Sequence, residues 1–162
     1  MPHRVLPAVL AALQLLAAPA FAAEPFTYLQ NALDGRGRCL AGAHGAVAMA
    51  ACNQSGAQQW VLTPGDLPGY VKFHTMADGA NLCLEAQSGD RRNVLHMVAC
   101  NKEDAQQWYV AGHGPVSHRL QLTNRAAGSM RCLEALQTGI RLTPCGLRQP
   151  GQHWRSEAIP TM

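Results

Sequence analysis

Apolar residues in this chain fall into short runs broken by polar, glycine- and proline-bearing loops, with one long run at the start. Residues 5–18, VLPAVLAALQLLAA, are almost wholly apolar. Arg4 precedes them, and Pro19 followed by Ala20-Phe21-Ala22 forms a small-x-small cleavage site. This layout predicts a secretory signal peptide over 1–22. The run is too short for a membrane span, and no later segment reaches its length. A core helix is the alternative, but nothing caps it and Ala23-Glu24-Pro25 breaks it. The expected working chain is therefore 23–162, secreted or periplasmic, with no membrane span.

After the leader, the pattern changes to that of short strands, and it repeats. YLQNALDGRGRCL (28–40), KFHTMADGANLCL (72–84) and QLTNRAAGSMRCL (121–133) align without a gap. Gly35, Gly79 and Gly128 share one column, each four residues before a Cys. A glycine there suits a turn between two strands, because it accepts positive φ cheaply. Leu29, Phe73 and Leu122 share an apolar column, as an inward-facing strand position requires. The first Cys of each unit (Cys39, Cys83, Cys132) is followed by Leu. A second Cys then arrives (Cys52, Cys100, Cys145), and after a polar loop a Gln-x-Trp ending at Trp60, Trp108 or Trp154.

Each unit thus reads as four short strands in roughly 46 residues, over about 26–66, 67–114 and 115–157. A sandwich can hold twelve strands, and a propeller needs at least a fourth blade. Threefold repetition with one Trp per unit favours closure about a pseudo-threefold axis, which removes sheet edges. The predicted fold is all-β: one β-trefoil domain over 23–162. The Trp residues are expected to be structural core. Gln58, Gln106 and Gln152, two residues before them, can hydrogen-bond loop backbone or face a ligand.

Six Cys allow fifteen pairings. The repeat singles out Cys39–Cys52, Cys83–Cys100 and Cys132–Cys145, one bridge within each unit. An exported chain favours disulfides over thiols. His44, His96, His113 and His153 are scattered and no C-x2-C pair exists, so neither a metal centre nor another cofactor is expected. With Lys+Arg 13 against Asp+Glu 10, the net charge of +3 is too small for a nucleic-acid polycation. There is no G-x-S-x-G, no HExxH and no Gly-rich phosphate loop, so no enzyme is predicted. A glycosidase needs two carboxylates across one bond. The tempting pair, Glu85 and Glu134, occupies equivalent positions in different units and should lie on separate lobes.

The thrice-repeated Cys-Leu, Cys and Gln-x-Trp resembles the ricin B-chain lectin family, over about 26–157. The resemblance implies a secreted β-trefoil binding module whose partner is a cell-surface glycan or glycoprotein. In that family an acid just after Cys-Leu takes sugar hydroxyls. An aromatic near the second Cys stacks on the ring, and an Asn before the Gln completes the set. Carried over, unit one has Ala41, Ala50 and Ala57, and holds no such site. Unit two has Glu85, Val98 and Ala105, with His96 at a polar place and Gln106 kept. Unit three has Glu134, Thr143 and Gly151, with Arg141 at the polar place and Gln152 kept. The candidate glycan-binding residues are therefore Glu85, His96, Gln106, Glu134, Arg141 and Gln152. The alternative for both acids is a solvated or hydrogen-bonded strand end. Arg141 and His96 add donors that suit an acidic glycan.

A narrower resemblance is to the A and C subunits of cytolethal distending toxin, small secreted trefoils with degenerate sugar sites. It implies other toxin subunits as partners and a delivery role. The apolar stretch AVAMAA (46–51) is then either a docking patch or a buried strand. A stand-alone lectin is the alternative. A protease-inhibitor trefoil is a third, presenting TPGDLPGY (63–70) or AGHGPVSH (111–118), which otherwise serve as linkers between units.

Overall fold

A computed structural model describes residues 27–33, 37–87, 94–112 and 119–159. The expected leader (1–22), Gly35, His113 and most of the 111–118 loop lie outside the described residues. Among the described residues there are twelve strands. They are β1 (Thr27–Asn31), β2 (Arg38–Ala43), β3 (Ala46–Ala51), β4 (Trp60–Pro64), β5 (Val71–Thr75) and β6 (Leu82–Ala86). There follow β7 (Leu95–Ala99), β8 (Trp108–Ala111), β9 (Gln121–Asn124), β10 (Arg131–Leu136), β11 (Gly139–Pro144) and β12 (Trp154–Ala158). The fold is all-β, as the repeat predicts.

Strands β1, β4, β5, β8, β9 and β12 form a closed ring. β12 pairs with β1, β4 with β5 and β8 with β9 over their lengths. The repeats join at Thr27↔Trp60, Val71↔Trp108 and Leu120↔Trp154, three equivalent single-pair contacts. The ring therefore has no exposed edge. Three hairpins cap it: β2–β3, β6–β7 and β10–β11. All three disulfides form as the repeat predicts: Cys39–Cys52, Cys83–Cys100 and Cys132–Cys145.

The repeated residues explain this architecture. Each Trp opens the fourth strand of its unit and is 0% exposed. Its Nε1–H donates to the carbonyl of the Leu in Cys-Leu: Trp60 to Leu40 at 2.8 Å, Trp108 to Leu84 at 2.8 Å and Trp154 to Leu133 at 2.9 Å. A buried indole thus satisfies a buried carbonyl, and ties ring to hairpin. Leu29, Phe73 and Leu122 are buried among them. Phe73 stands edge-on to Trp60 (6.3 Å) and to Trp108 (6.1 Å). Gly79 and Gly128 turn with positive φ, 64° and 86°. Neighbouring units are stitched by one column: Asn31 Nδ2–H donates to Gly151 O and Asn124 Nδ2–H to Ala105 O, both at 2.8 Å.

A 3₁₀ turn, which the sequence pattern does not show, precedes each Trp strand, at Gly56–Gln58, Asp104–Gln106 and Pro150–Gln152. The Gln at its end is buried and staples the loop after the second Cys. Gln58 Oε1 accepts from Asn53 N–H at 2.8 Å while its Nε2–H donates to Ala51 O at 2.7 Å. Gln106 does the same with Asn101 and Ala99, and Gln152 with Gly146 and Pro144. Strand β3, the AVAMAA stretch, buries only Met49 and leaves Ala46, Ala48 and Ala51 exposed.

Candidate functional site

Each hairpin presents one acid position on its outer side. The Leu after Cys points into the core, so the next residue points out, because strand side chains alternate. The Trp indole pins that Leu carbonyl, which fixes the backbone leading to the acid position. Across the hairpin the partners are Ala41↔Ala48, Glu85↔His96 and Glu134↔Arg141. Repeat one accordingly offers only methyl groups, with Ala50 and Ala57 at the other two positions.

In repeat two, Gln106 Nε2–H donates to Glu85 Oε2 at 3.1 Å. The glutamine is itself held by Asn101 and Ala99, so it orients the carboxylate. The second oxygen of Glu85 has no partner among the described residues, and the side chain is half-buried. His96, half-buried, faces Glu85 across the ladder. Val98, opposite Cys83, stands at the aromatic position. The arrangement is an oriented, half-buried acceptor paired in the ladder with an imidazole.

Repeat three is built differently. Glu134 Oε2 accepts a short hydrogen bond from Thr143 Oγ1–H and a longer one, 3.4 Å, from Gln152 Nε2–H. Gln152 Nε2–H also donates to Thr143 Oγ1 at 2.7 Å. The residue at the aromatic position therefore ties the acid down. Gly151 occupies the Asn position, and a Cβ there would lie 2.3 Å from Ala135 O and 3.0 Å from Glu134 Cγ. Backbone cannot give way as a flexible side chain can, so no side chain fits. Arg141 faces Glu134 in register without an ion pair to it among the described residues. The six candidate residues thus fall into two groups. Glu85 is bonded by Gln106 and pairs with His96 across the ladder, whereas Glu134 is bonded by both Thr143 and Gln152 and pairs with Arg141.

His74 gives no signal in the sequence, because its partners, Thr63 and Leu82, lie on the neighbouring strands β4 and β6. It is 5% exposed in β5. Its Nδ1 lies 3.0 Å from Leu82 O and its Nε2 2.9 Å from Thr63 Oγ1. A carbonyl only accepts, so Nδ1 carries the proton and Nε2 accepts from Thr63. Its Nδ1 and the sulfurs of Cys83 and Cys100 lie within 4.8 Å of one another. Both sulfurs are in the bridge, so neither is a thiolate ligand. Burial holds the His74 imidazole below its ordinary value, against the raising effect of the Leu82 hydrogen bond; Lys72 lowers it further. The unfolded chain then binds a proton at about pH 6.5 that the folded one does not. This contribution to stability is full above about pH 6.5 and declines as pH falls toward the lower folded pKa. Urea midpoints measured from about pH 7.5 to 5 should fall in the native protein and fall less in His74→Gln. Parallel declines would contradict this assignment.

The loop after β4 is fastened to the next repeat. Asp66 N–H donates to Gln107 Oε1 at 3.0 Å, and Gln107 Nε2–H to Asp66 Oδ2 at 2.7 Å. Lys72 Nζ is 2.6 Å from Asp66. The hydrogen bonds from Lys72 and Gln107 hold the Asp66 carboxyl below its usual range.

No curated protein matches the chain in sequence. Among solved structures, the designed threefold-symmetric protein ThreeFoil is similar with a TM-score of 0.69 and 19% identity, covering 83% of this chain and 99% of that one. The β-trefoil lectin of Vibrio vulnificus hemolysin/cytolysin, with N-acetyl-D-lactosamine bound, has a TM-score of 0.64 and 18% identity, covering 87% and 99%. A mosquitocidal holotoxin has a TM-score of 0.70 and 12% identity, covering 90% of this chain but 18% of the toxin. These likenesses establish the β-trefoil fold. In sequence, the Ricin-type beta-trefoil lectin domain matches residues 72–159, which are repeats two and three, the two that keep an acid. That match spans more than half of the 162 residues, and the chain belongs to the ricin-type β-trefoil lectin family.

Proposed function

We propose that this chain is a secreted, non-enzymatic glycan-binding module with one working sugar site, in repeat two, and that it serves as the cell-docking part of a toxin. The observation that carries the sugar site is the contrast between the two acids. Glu85 has a single side-chain partner, Gln106, and pairs with His96 across the ladder, whereas Glu134 is engaged by both Thr143 and Gln152, with Gly151 packed against it. The Glu85 carboxylate accepts from a sugar hydroxyl, Gln106 holds it still, and His96 adds a donor or acceptor. With Val98 in place of a ring, the site lacks stacking and is expected to bind weakly. Two structural neighbours, a mosquitocidal holotoxin and a hemolysin lectin, support the toxin role. So does the exposed apolar face of β3, a surface for a further toxin subunit.

A glycan array tests the sugar site, with the disulfide-bonded protein, Glu85→Ala and Glu134→Ala compared side by side. Neutral glycans should bind the native protein and Glu134→Ala, and lose roughly tenfold or more with Glu85→Ala, the effect of removing one charge-assisted hydrogen bond. No neutral-glycan binding by a folded protein, or loss with Glu134→Ala alone, would refute the assignment.

A further inference from the structure

Gln106, which donates to Glu85 Oε2, lies in the 3₁₀ turn Asp104–Gln106, inside the segment 101–107. Both ends of that segment are held from outside it. At the start, Lys72 Nζ–H donates to Asn101 O at 2.7 Å. Asn101 N–H in turn donates to Gln106 Oε1 at 2.8 Å, and Asn101 Oδ1 accepts from Glu103 N–H at 2.8 Å. At the end, Gln107 Nε2–H donates to Asp66 Oδ2 at 2.7 Å, and Gln107 Oε1 accepts from Asp66 N–H at 3.0 Å. The two holding residues are joined to each other, Lys72 Nζ to Asp66 Oδ2, at 2.6 Å. One ion pair therefore clamps both ends of the segment that carries Gln106.

Lys72 belongs to β5, and its side chain is only 14% exposed. A cation so far out of water depends on its partners, because an unpaired buried charge is costly. The repeat shows that the fold itself does not call for this cation. Tyr28 and Gln121 stand in the same column in repeats one and three. The Nε2 of Gln121 is buried with no hydrogen-bond partner among the described residues. Repeat three thus folds with a polar side chain in this column whose donor is left unused, whereas repeat two spends two hydrogen bonds of its Lys72 ammonium on Asp66 and Asn101. The cation sits in the repeat whose acid has a single side-chain partner, Gln106.

We propose that Lys72 is a positioning residue of the repeat-two sugar site, acting with Asp66 to seat Gln106 and, through it, the Glu85 carboxylate. The proposal rests on the reading of Glu85 as the acceptor of a sugar hydroxyl. Hydrogen bonds weaken steeply when misaligned, so an acceptor must be aimed. A carboxylate already held in place also loses less freedom when the sugar arrives, which strengthens binding without a new contact. The rival account is that the Lys72 charge acts on the site through space. The two differ at Asp66: its removal undoes the clamp but leaves the Lys72 charge.

Two readouts test it on the disulfide-bonded protein and its Lys72→Met, Asp66→Ala, Lys102→Met and Glu85→Ala variants. The first is the side-chain amide of Gln106 in a ¹H–¹⁵N spectrum without sugar. It should shift in Lys72→Met and Asp66→Ala, and stay in place in Lys102→Met, which removes an exposed cation of the same loop. The second is affinity for lactose, N-acetyl-D-lactosamine and the neutral glycan ranked first on the array, measured far below the urea midpoint of each variant. Lys72→Met and Asp66→Ala should each weaken binding roughly fivefold, less than Glu85→Ala, because Gln106 keeps its bond to Ala99 O. Lys102→Met should bind as the native protein does. The clamp is overturned if the Gln106 amide is unmoved in Lys72→Met, or if Lys72→Met binds undiminished while Glu85→Ala does not. Weakening in Lys72→Met but not in Asp66→Ala would overturn it in favour of the charge alone. Undiminished binding by Glu85→Ala, or no binding of the three glycans by the native protein, would remove the sugar site itself, and the positioning role with it.

Discussion

Trp108→Ala should destabilise the protein by about 3–5 kcal/mol, the usual cost of removing a buried aromatic. Trp108 is 0% exposed and lies edge-on to Phe73 at 6.1 Å. Its loss leaves a cavity between ring and hairpin, and leaves Leu84 O without the 2.8 Å hydrogen bond from Nε1–H. An orphaned buried carbonyl contributes about 1–3 kcal/mol of that cost. Domains of this kind are stable by only about 5–15 kcal/mol, so the variant should be marginal. In urea the midpoint should fall by roughly 2 M, given slopes of about 1–3 kcal/mol/M. A midpoint within about 0.3 M of the native value would contradict the anchor role. The consequence reaches function, because Leu84 precedes Glu85. Freeing its carbonyl loosens the backbone that presents the acid, so sugar affinity should fall even where the variant is folded.

Reducing the three disulfides should be of comparable effect. Each closes a loop of 13 or 17 residues within one repeat. The chain-entropy argument gives about 3 kcal/mol for a loop of this size. The three together approach the whole stability of the domain. Reduced protein at about 25 °C should therefore lose its near-ultraviolet tryptophan dichroism and its cooperative urea transition. A reduced protein that unfolds cooperatively at the oxidised midpoint would show that hydrophobic packing alone carries the fold.

Residues that the threefold axis uses three times are legible in the sequence. Cys-Leu, the second Cys and Gln-x-Trp recur because each repeat solves the same problem: an indole must reach the carbonyl of its own hairpin. The strands, twelve among the described residues, and the disulfide pairing follow from that recurrence. The two glutamines kept beside an acid stand out as site candidates, but their backbone bonds show each as a loop staple first. What the sequence does not reveal lies where the repeats differ. Thr143 engages Glu134, and Gly151 sits where a side chain would collide with Ala135 O; neither residue type announces this on its own. His74 is hydrogen-bonded to Thr63 on the preceding strand and to Leu82 on the following one, contacts that its own sequence neighbourhood does not announce. The 3₁₀ turns have no propensity signal in three residues, being imposed by the glutamine that follows the second Cys. AVAMAA reads equally as buried strand or exposed patch, and only its Met49 turns inward.

The central claim is that one oriented acid, Glu85, makes repeat two the sugar site. A ¹H–¹⁵N correlation titration with the strongest neutral glycan from the array tests it most directly. The side-chain amide of Gln106 and the backbone amides of Glu85 and His96 should shift together along one saturating curve, with Ala41 and Glu134 unmoved. Saturating shifts confined to Glu134 and Gln152, or to repeat one, would contradict it.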